Sequence, residues 1–126
     1  LLEGVKPVLE KLKDRKLLLA VGSASKNAPA ILEKTGLTPY LDKVSCGLDT
    51  TKSKPDPEVF LVAAKKLGLP QEECLVVEDS AAGIQAAAAG NMKSLGVGPF
   101  YNALNADYEA PALCKVTDAQ WDAILQ

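Results

Sequence analysis

Apolar and polar positions recur along the chain in two periods, which predict helices and strands in turn. Apolar residues at helical spacing predict helices over about 5–15, 28–35, 57–67 and 84–89, and a last one that Asp118 caps. Short continuous apolar runs predict buried strands at about 16–21, 43–47, 74–78 and 93–97, with a final edge strand near 114–116. The polar segment 105–108 is predicted to be a loop.

This alternation predicts an α/β fold, with a three-layer, Rossmann-like and mostly parallel sheet. Helices should cover both faces of the sheet and join the strands by right-handed crossovers. No repeat, low-complexity segment or linker divides the 126 residues, so one domain is expected. In open sheets of this kind, ligands bind at the carboxyl ends of the strands, and that edge is where candidate chemistry should lie.

The charge and hydropathy of the chain limit the kinds of partner that it could bind. The formal net charge is −2 and the basic residues are scattered, which argues against a nucleic-acid or anionic-membrane surface. No apolar run approaches a membrane span, and no signal peptide is visible. The sequence therefore predicts neither a nucleic-acid nor a membrane partner.

The cysteine and histidine content indicates the cellular compartment and limits the kinds of catalytic and metal site that the chain could form. Cys46, Cys74 and Cys114 are odd in number and widely spaced, and each lies in or beside a hydrophobic run. They are interpreted as small core residues in a reducing compartment, which predicts a cytoplasmic protein. The sequence has no histidine, which removes His-based triads, histidine general bases and most zinc sites.

An acidic pair ends the most apolar of the predicted strands. Glu78 and Asp79 follow directly after the apolar run 75–77, where the strand should emerge from its covered zone. Two adjacent carboxylates at that edge indicate a site for a hard cation such as Mg²⁺. The alternative is that Asp79 or Ser80 only caps the following helix.

Two further polar segments lie after a predicted strand or before a predicted helix. The small, hydroxyl-rich turn 22–27 follows a strand, and the free N–H groups of the next helix could hold a phosphate there. Lys54 precedes Pro55, which restricts the lysine backbone to extended conformations and helps to aim its ammonium group. The alternatives are an ordinary capped turn and a surface lysine, as Lys52 is. Together with the acidic pair, these segments predict a magnesium-dependent site for phosphoryl transfer.

Three segments resemble the haloacid dehalogenase superfamily, and within it the beta-phosphoglucomutase group. They are SASKN at 23–27, SKPDPEVF at 53–60 and VVEDSAAGIQAAAAG at 76–90. The resemblance runs from about Pro7 to Val97 and implies a HAD-like fold. It also implies transfer of a phosphoryl group between the C1 and C6 oxygens of a hexose phosphate, from beta-glucose 1-phosphate to glucose 6-phosphate, through an aspartyl phosphate.

The resemblance also implies roles for individual residues. The transferring phosphoryl group would be held by Ser23 and Lys54, with help from the backbone N–H of Ala24. The other phosphate of the sugar-phosphate substrate would be contacted by Ser25, Lys26 and Asn27. The Mg²⁺ cofactor would be ligated by Glu78 and Asp79, in a loop that Ser80 supports.

One departure from the family pattern changes the expectation for this chain. The family's nucleophile and general acid/base stand in an Asp-x-Asp motif on an early central strand, and this sequence contains no such motif. The cap domain of the family is absent as well. Residues 1–126 are thus expected to form a partial HAD-like core, lacking a strand between those that end at Val21 and Glu78. Either pairing with the missing segment, self-association or closure of the gap should follow, and the chain alone should not turn over substrate.

Three other functions stay open at this point. A phosphatase of the same superfamily, acting on small sugar phosphates, would use the same residues, although the turn 23–27 favours the mutase because it offers groups for a second phosphate. A non-catalytic phosphate-binding fragment would keep the ligands without a nucleophile. A receiver domain would need an early pair of aspartates, which the sequence lacks.

Overall fold

The structure is a computed structural model that describes residues 5–23, 26–52 and 54–125. The α-helices in these ranges are α1 (Val5–Asp14), α2 (Ala28–Lys34), α3 (Glu58–Leu67), α4 (Ala81–Ala89) and α5 (Asp118–Ile124). The strands are β1 (Ala20–Gly22), β2 (Lys43–Ser45), β3 (Leu75–Glu78), β4 (Lys93–Gly96) and β5 (Tyr108–Glu109). Helix and strand alternate, and the prediction of an α/β fold is confirmed.

All strand pairs in the described ranges are parallel, but they form two sheets rather than one. β1 pairs with β2, with Val21 opposite Val44. β4 pairs with β3 on one side and with β5 on the other, with Val77 opposite Leu95. β1 and β3 do not pair with each other, so the sheet is divided where the family resemblance places an additional strand.

The core lies in two clusters, one on each face of β3. Neighbouring residues of a strand point to opposite faces, and Val76 belongs to one cluster while Leu75 packs against the other. The first cluster joins α3, β3 and α4 and includes Phe60. The second joins α1, β4 and α5 around the fully buried Trp121. The predicted helices on both faces of the sheet are therefore present.

An apolar cavity of about 410 Å³ lies along the division between β1 and β3. Val21 lines it from β1 and Val77 lines it from β3. Val77 was expected to be covered on both faces, but its side chain is 40% exposed. The reason is that the cavity occupies the space where a neighbouring strand would cover it.

The first strand is shorter than predicted. Its apolar run begins at residue 16, but β1 begins only at Ala20. Lys16 has a positive φ of 64°, which turns the chain out of α1. The N–H of Leu19 donates to the Asp42 carboxylate at 2.7 Å, so a side chain takes the place of a strand partner there.

The prediction for the last strand is wrong. Residues Leu113–Lys115 form a 3₁₀ turn, and the edge strand is β5, within a stretch predicted to begin as a loop. Asp107 explains the difference, because its carboxylate accepts the N–H of Ser94 at 2.9 Å while its own N–H donates to the Ser94 hydroxyl at 3.3 Å. This side-chain link attaches a polar segment to β4 ahead of the backbone pairing.

Two helix starts differ from the prediction by one residue. α3 begins at Glu58 rather than at Pro57, and the Asp56 carboxylate accepts the Glu58 N–H at 3.0 Å. α5 is capped by Thr117 rather than Asp118, through a capping box with Gln120. A capping box satisfies two backbone N–H groups at once, which favours this start.

The three cysteines are free, but they do not share one environment. Cys46 is buried and Cys74 is partly buried, as expected of core residues, whereas Cys114 is exposed in the 3₁₀ turn after β5. The prediction that all three are core residues is therefore wrong for Cys114. Across the described ranges, every helix is too short or too polar to cross a membrane.

Candidate functional site

The three predicted polar segments lie at the carboxyl ends of strands or directly before a helix. Ser23 follows the last residue of β1, and its N–H continues the pairing with β2 by donating to the Ser45 carbonyl at 2.9 Å. Glu78 is the last residue of β3. Lys54 precedes α3 and a cis peptide bond joins it to Pro55.

Lys54 and Glu78 are in direct contact, although 24 residues separate them in the chain. Lys54 Nζ donates to Glu78 Oε2 at 2.9 Å. Only 21% of the lysine side chain and 12% of the glutamate side chain are exposed. Because this ion pair is partly buried, the position of the Lys54 ammonium group is better defined than that of a lysine in an ion pair at the protein surface.

The second oxygen of the same carboxylate is held by the loop that follows β3. Glu78 Oε1 accepts the Asp79 N–H and the Ser80 hydroxyl, each at 3.1 Å. The Ser80 oxygen in turn accepts the Gly83 N–H at 3.1 Å and so caps α4. The alternative of a helix cap is therefore correct for Ser80 and not for Asp79, while Ser80 also supports the acidic pair.

The pKa values of the two adjacent carboxyls shift in opposite directions. Burial acts to raise the pKa of Glu78, but the hydrogen bond and charge of Lys54, with hydrogen bonds from Asp79, outweigh burial and lower it. A side-chain hydrogen bond with Glu78 raises the pKa of Asp79, and burial and the charge of Glu78 add to that effect. The two carboxyl groups therefore share a hydrogen bond and also carry like charges, and a cation bound between them would favour the ionised form of both.

Two glycines leave room for the acidic pair. A Cβ at Gly83 would overlap the side chain of Glu78. A Cβ at Gly98 would lie 3.3 Å from the Cβ of Asp79, and Gly98 has a φ of +97°, which side chains rarely allow. Both positions were missed in the sequence, where a glycine in a helix or a turn has many ordinary explanations.

Phe60 links the turn after β1 to Lys54. Lys54 Nζ lies 5.0 Å from the centroid of the Phe60 ring, within the range of a cation–π contact. A Cβ at Gly22 would lie only 2.8 Å from the same ring, so β1 ends directly against it. The sequence predicted Phe60 only as part of the apolar face of α3, and helical spacing alone gives no sign of a role at the site.

The loop that leads to Lys54 is anchored by two acidic side chains that were also missed. The Glu58 carboxylate accepts the N–H groups of Thr51 and Lys52. Asp49 accepts the Cys46 N–H at 2.9 Å and pairs with Lys66 at 3.0 Å. These contacts fix the path of the chain from β2 to α3 and hence the base of the Lys54 side chain.

Of the other four residues predicted to bind the substrate, the structure describes two. Lys26 and Asn27 are exposed and directly precede α2. Ala24 and Ser25 lie outside the described residues, so their predicted roles stay predictions. Across residues 5–23, 26–52 and 54–125, no cluster of three or more His, Cys, Asp or Glu side chains is arranged to hold a metal.

The described arrangement can hold an anion and a divalent cation side by side. Lys54 supplies a directed positive charge at the edge where β1 and β3 end. Glu78 and Asp79 supply two carboxylates, and Mg²⁺ in proteins is often held by one or two carboxylates together with substrate phosphates. The donor set therefore fits Mg²⁺ next to a phosphate, with the remaining ligands coming from outside these two side chains.

The haloacid dehalogenase-like hydrolase family matches residues 1–91 of this chain. Beta-phosphoglucomutase of Bacillus subtilis is 35% identical over 107 residues, which are 85% of this chain and 47% of that protein. Phosphorylated carbohydrates phosphatase of Thermotoga maritima is 30% identical over 114 residues, which are 89% of this chain and 50% of that protein. The chain thus spans about half the length of these curated relatives.

Solved structures agree with this assignment. The crystal structure of beta-phosphoglucomutase from Clostridium difficile superposes on 98% of this chain with a TM-score of 0.86 and 29% sequence identity. This chain corresponds to 57% of that one. Since the match covers nearly the whole chain, it includes both sheets. The chain therefore belongs to the haloacid dehalogenase-like hydrolase family.

Proposed function

We propose that this chain carries the phosphate- and Mg²⁺-binding residues of a sugar-phosphate phosphotransferase of the beta-phosphoglucomutase type. The reaction would convert beta-glucose 1-phosphate to glucose 6-phosphate. The observation that carries the proposal is the contact between Lys54 and Glu78 at the carboxyl edge of the sheets. It joins a cation suited to a phosphate and a carboxylate suited to a metal at one point. The similarity to beta-phosphoglucomutase of Bacillus subtilis supports the choice of substrate.

Lys54 and Ser23 hold the transferring phosphoryl group in this proposal. The ammonium group of Lys54 offsets negative charge on the phosphoryl oxygens, and its hydrogen bond to Glu78 and its contact with the Phe60 ring fix its position. The Ser23 hydroxyl and the N–H of Ala24 add hydrogen-bond donors from the turn after β1. Electrostatic preorganisation of this kind needs no movement during the reaction.

Ser25, Lys26 and Asn27 contact the second phosphate of the substrate. Lys26 and Asn27 are exposed immediately before α2, so a ligand can reach them. A mutase needs two phosphate positions, one for the group that moves and one for the group that stays. A phosphatase needs one, so these residues favour the mutase.

Mg²⁺ is the proposed cofactor, with Glu78 and Asp79 as its protein ligands. The observation in favour is that two adjacent carboxyl groups stand at the end of β3, beside Lys54, because Mg²⁺ in proteins is held by oxygen ligands. When bound, Mg²⁺ would neutralise charge on the phosphoryl oxygens. Ser80 and Gly83 would keep the Glu78 carboxylate in place.

The same proposal predicts that the 126-residue chain binds its ligands without turning them over. The family resemblance assigns the chemistry to an Asp-x-Asp motif, and the sequence has none. The proposed location is the cytoplasm, where the three free cysteines would stay reduced. Formation of glucose 6-phosphate by the purified chain, above the rate of a buffer blank, would contradict the prediction of no turnover.

Calorimetric titration tests the binding proposal directly. The chain is titrated with inorganic phosphate in the presence of Mg²⁺, for the wild type, Lys54→Met and Lys52→Met. Lys52 is the matched control, because it is an exposed lysine in the same loop, whereas the Lys54 ammonium group binds Glu78. At least a tenfold loss of affinity is expected in Lys54→Met alone. Equal affinities in all three proteins would overturn the proposal.

A phosphatase of small sugar phosphates is the second candidate. The observation in its favour is the similarity to the phosphorylated carbohydrates phosphatase of Thermotoga maritima. Substrate profiling of a longer protein that contains this chain separates the two candidates. Conversion of beta-glucose 1-phosphate without release of phosphate supports the mutase, and release of phosphate from hexose 6-phosphates supports the phosphatase. Binding of phosphate and Mg²⁺ with neither activity would identify a non-catalytic binding protein.

A further inference from the structure

One carboxylate oxygen of Glu78 is common to the proposed phosphate and metal positions. In the described ranges, Glu78 Oε1 accepts two hydrogen bonds, from the Asp79 N–H and the Ser80 hydroxyl. Glu78 Oε2 accepts one, from Lys54 Nζ at 2.9 Å. A carboxylate has about four acceptor positions, two on each oxygen. Among the contacts of the described residues, the position open to a metal ion is therefore on Oε2, the oxygen that binds the lysine.

A cation on this oxygen would be a close neighbour of the Lys54 ammonium group. Because Mg–O bonds in proteins are about 2.1 Å long, the ion and Lys54 Nζ would lie within about 5 Å of each other. The side chains of Lys54 and Glu78 are only 21% and 12% exposed, so water screens the repulsion between the two cations weakly. The ammonium group and Mg²⁺ therefore compete for one carboxylate.

An anion changes the balance of this competition. The Phe60 ring, 5.0 Å from Lys54 Nζ, helps to keep the ammonium group beside Glu78. Loss of one partner from a buried ion pair is costly, because the other partner is left without compensation. Phosphate oxygens accept hydrogen bonds from lysine and also bind Mg²⁺. A phosphate at this edge would therefore give the ammonium group a new acceptor and leave Glu78 to the metal.

We infer that Lys54 opposes metal binding at Glu78 until an anion accepts its hydrogen bond, so that Mg²⁺ binds tightly only together with phosphate. The inference rests on the proposed function, because it takes Glu78 and Asp79 as the metal ligands, and it adds a regulation of that site. Coupling between two ligands is reciprocal, so Mg²⁺ should raise the affinity for phosphate by the same factor.

Two roles of Lys54 give effects of opposite sign. If the lysine served only to orient Glu78, its removal would weaken the binding of Mg²⁺. If the lysine competes with the metal, its removal strengthens that binding, because a partly buried carboxylate loses its cation. The hydrogen bonds of Ser80 to Glu78 and to Gly83 hold the carboxylate in place in both cases.

The test follows Mg²⁺ binding through the amide signals of Glu78 and Asp79 in the full 126-residue chain, at constant pH and ionic strength. Without phosphate, Lys54→Met should bind Mg²⁺ about tenfold more tightly than the wild type. Lys54→Arg retains the charge and should bind Mg²⁺ no more tightly than the wild type. Lys52→Met is the matched control, since Lys52 is an exposed lysine of the same loop, and its affinity should be unchanged.

A second measurement uses the wild type alone and does not depend on the folding of a variant. Phosphate should raise the affinity for Mg²⁺ about tenfold, with free Mg²⁺ corrected for its binding to phosphate in solution. The ε-methylene protons of Lys54 report the position of the side chain, because they lie near the Phe60 ring. Mg²⁺ alone should move these signals towards those of an unstructured lysine, and Mg²⁺ with phosphate should not.

The possible failures separate this inference from the proposed function. Weaker or equal Mg²⁺ binding in a folded Lys54→Met would overturn the inference and leave Glu78 and Asp79 as metal ligands. The amide spectrum without ligands shows whether that variant is folded. Equal Mg²⁺ affinities of the wild type with and without phosphate would also overturn the inference. If Mg²⁺ moved neither amide signal in any of the proteins, even with phosphate present, the proposed metal site would be wrong as well.

Discussion

Gly83 lies so close to Glu78 that a Cβ at position 83 would overlap the carboxylate-bearing side chain. The same glycine donates its N–H to the Ser80 hydroxyl, and that hydroxyl donates to Glu78. Helix α4 therefore begins directly beneath the carboxylate that binds Lys54. Glycine in a helix is unfavourable by about 0.5–1 kcal/mol relative to alanine. The structure explains its presence as the condition for placing Glu78.

Substitution of Gly83 by alanine should consequently destabilise the protein. Helix propensity would favour alanine by up to about 1 kcal/mol, but displacement of Glu78 should cost about 1–3 kcal/mol. A net loss of unfolding free energy is expected in urea titrations. In the Glu78→Ala background the overlap is gone, and there the same substitution should be stabilising.

This double-mutant cycle contains its own control, since both backgrounds share the change in helix propensity. Equal effects of Gly83→Ala in the two backgrounds would show that the two residues are not coupled. The glycine would then have no role in placing the carboxylate.

The Phe60 ring should leave a spectroscopic signature on Lys54. Protons above an aromatic ring resonate upfield, and Lys54 Nζ lies 5.0 Å from the ring centroid. In Phe60→Leu the upfield shift of the Lys54 ε-methylene protons should disappear, whereas Phe60→Tyr should retain it. The cation–π contact should contribute about 0.5–2 kcal/mol to the free energy of unfolding.

Val59→Ala separates this effect from a general loss of packing. Val59 belongs to the same core cluster as Phe60 and is 2% exposed, so its truncation should destabilise the fold. The Lys54 signals should nevertheless stay where they are. If they moved as far as in Phe60→Leu, the shift would report on the core and not on the ring.

Loss of the Ser80 hydroxyl should have two consequences. Ser80→Ala removes the N-cap of α4, which should cost about 1 kcal/mol of unfolding free energy. It also removes a donor to Glu78, so the amide signals of residues 78 and 79 should shift. Ser80→Thr retains the hydroxyl and should resemble the wild type in both measurements.

Thr117→Ala is the matched control for this comparison. It removes the N-cap of α5, where the hydroxyl accepts the Gln120 N–H at 3.1 Å. The unfolding free energy should fall by a similar amount, while the signals of Glu78 remain unchanged. Similar spectral changes at Glu78 in both variants would contradict the assigned contact.

Asp42 should make stability depend on pH in the acidic range. Hydrogen bonds from the Lys13 side chain and the Leu19 N–H, each 2.7 Å long, lower the pKa of Asp42 in the folded protein. Because the pKa of Asp42 is lower in the folded protein, its contribution to the free energy of unfolding is complete above the ordinary aspartate pKa of about 3.9. That contribution is lost as the pH falls through the pKa of the folded protein.

Asp42→Asn should therefore destabilise the protein at pH 7, and the difference from the wild type should narrow below about pH 4. Urea titrations at a series of pH values measure this difference. A difference that stayed constant down to pH 2 would show that the charge of Asp42 does not contribute to stability.

Much of the fold was accessible from the sequence because its signals are local. The periodicity of apolar residues predicted α1 to α4 and β2 to β4. The rule that ligands bind at the carboxyl edge of the sheet predicted that Lys54 and Glu78 lie close together. β5 was missed because its attachment depends on Asp107 meeting Ser94, a contact with a residue 13 positions earlier. A polar segment of this kind is indistinguishable from a loop until its partner is known.

The parts of the site that were missed act through shape rather than chemistry. Gly22, Gly83 and Phe60 carry no functional group, and their importance lies in how closely backbone and ring approach Lys54 and Glu78. Periodicity shows that a side chain points inward, but it does not show what the side chain meets there.

Trp121 gives the molecule a built-in optical probe. It is the single tryptophan of the sequence, it is 1% exposed, and it stands in the wall of the cavity between β1 and β3. The emission of an indole responds to water and to neighbouring dipoles. Any event that fills or empties the cavity should be readable as a change in intrinsic fluorescence, without a label.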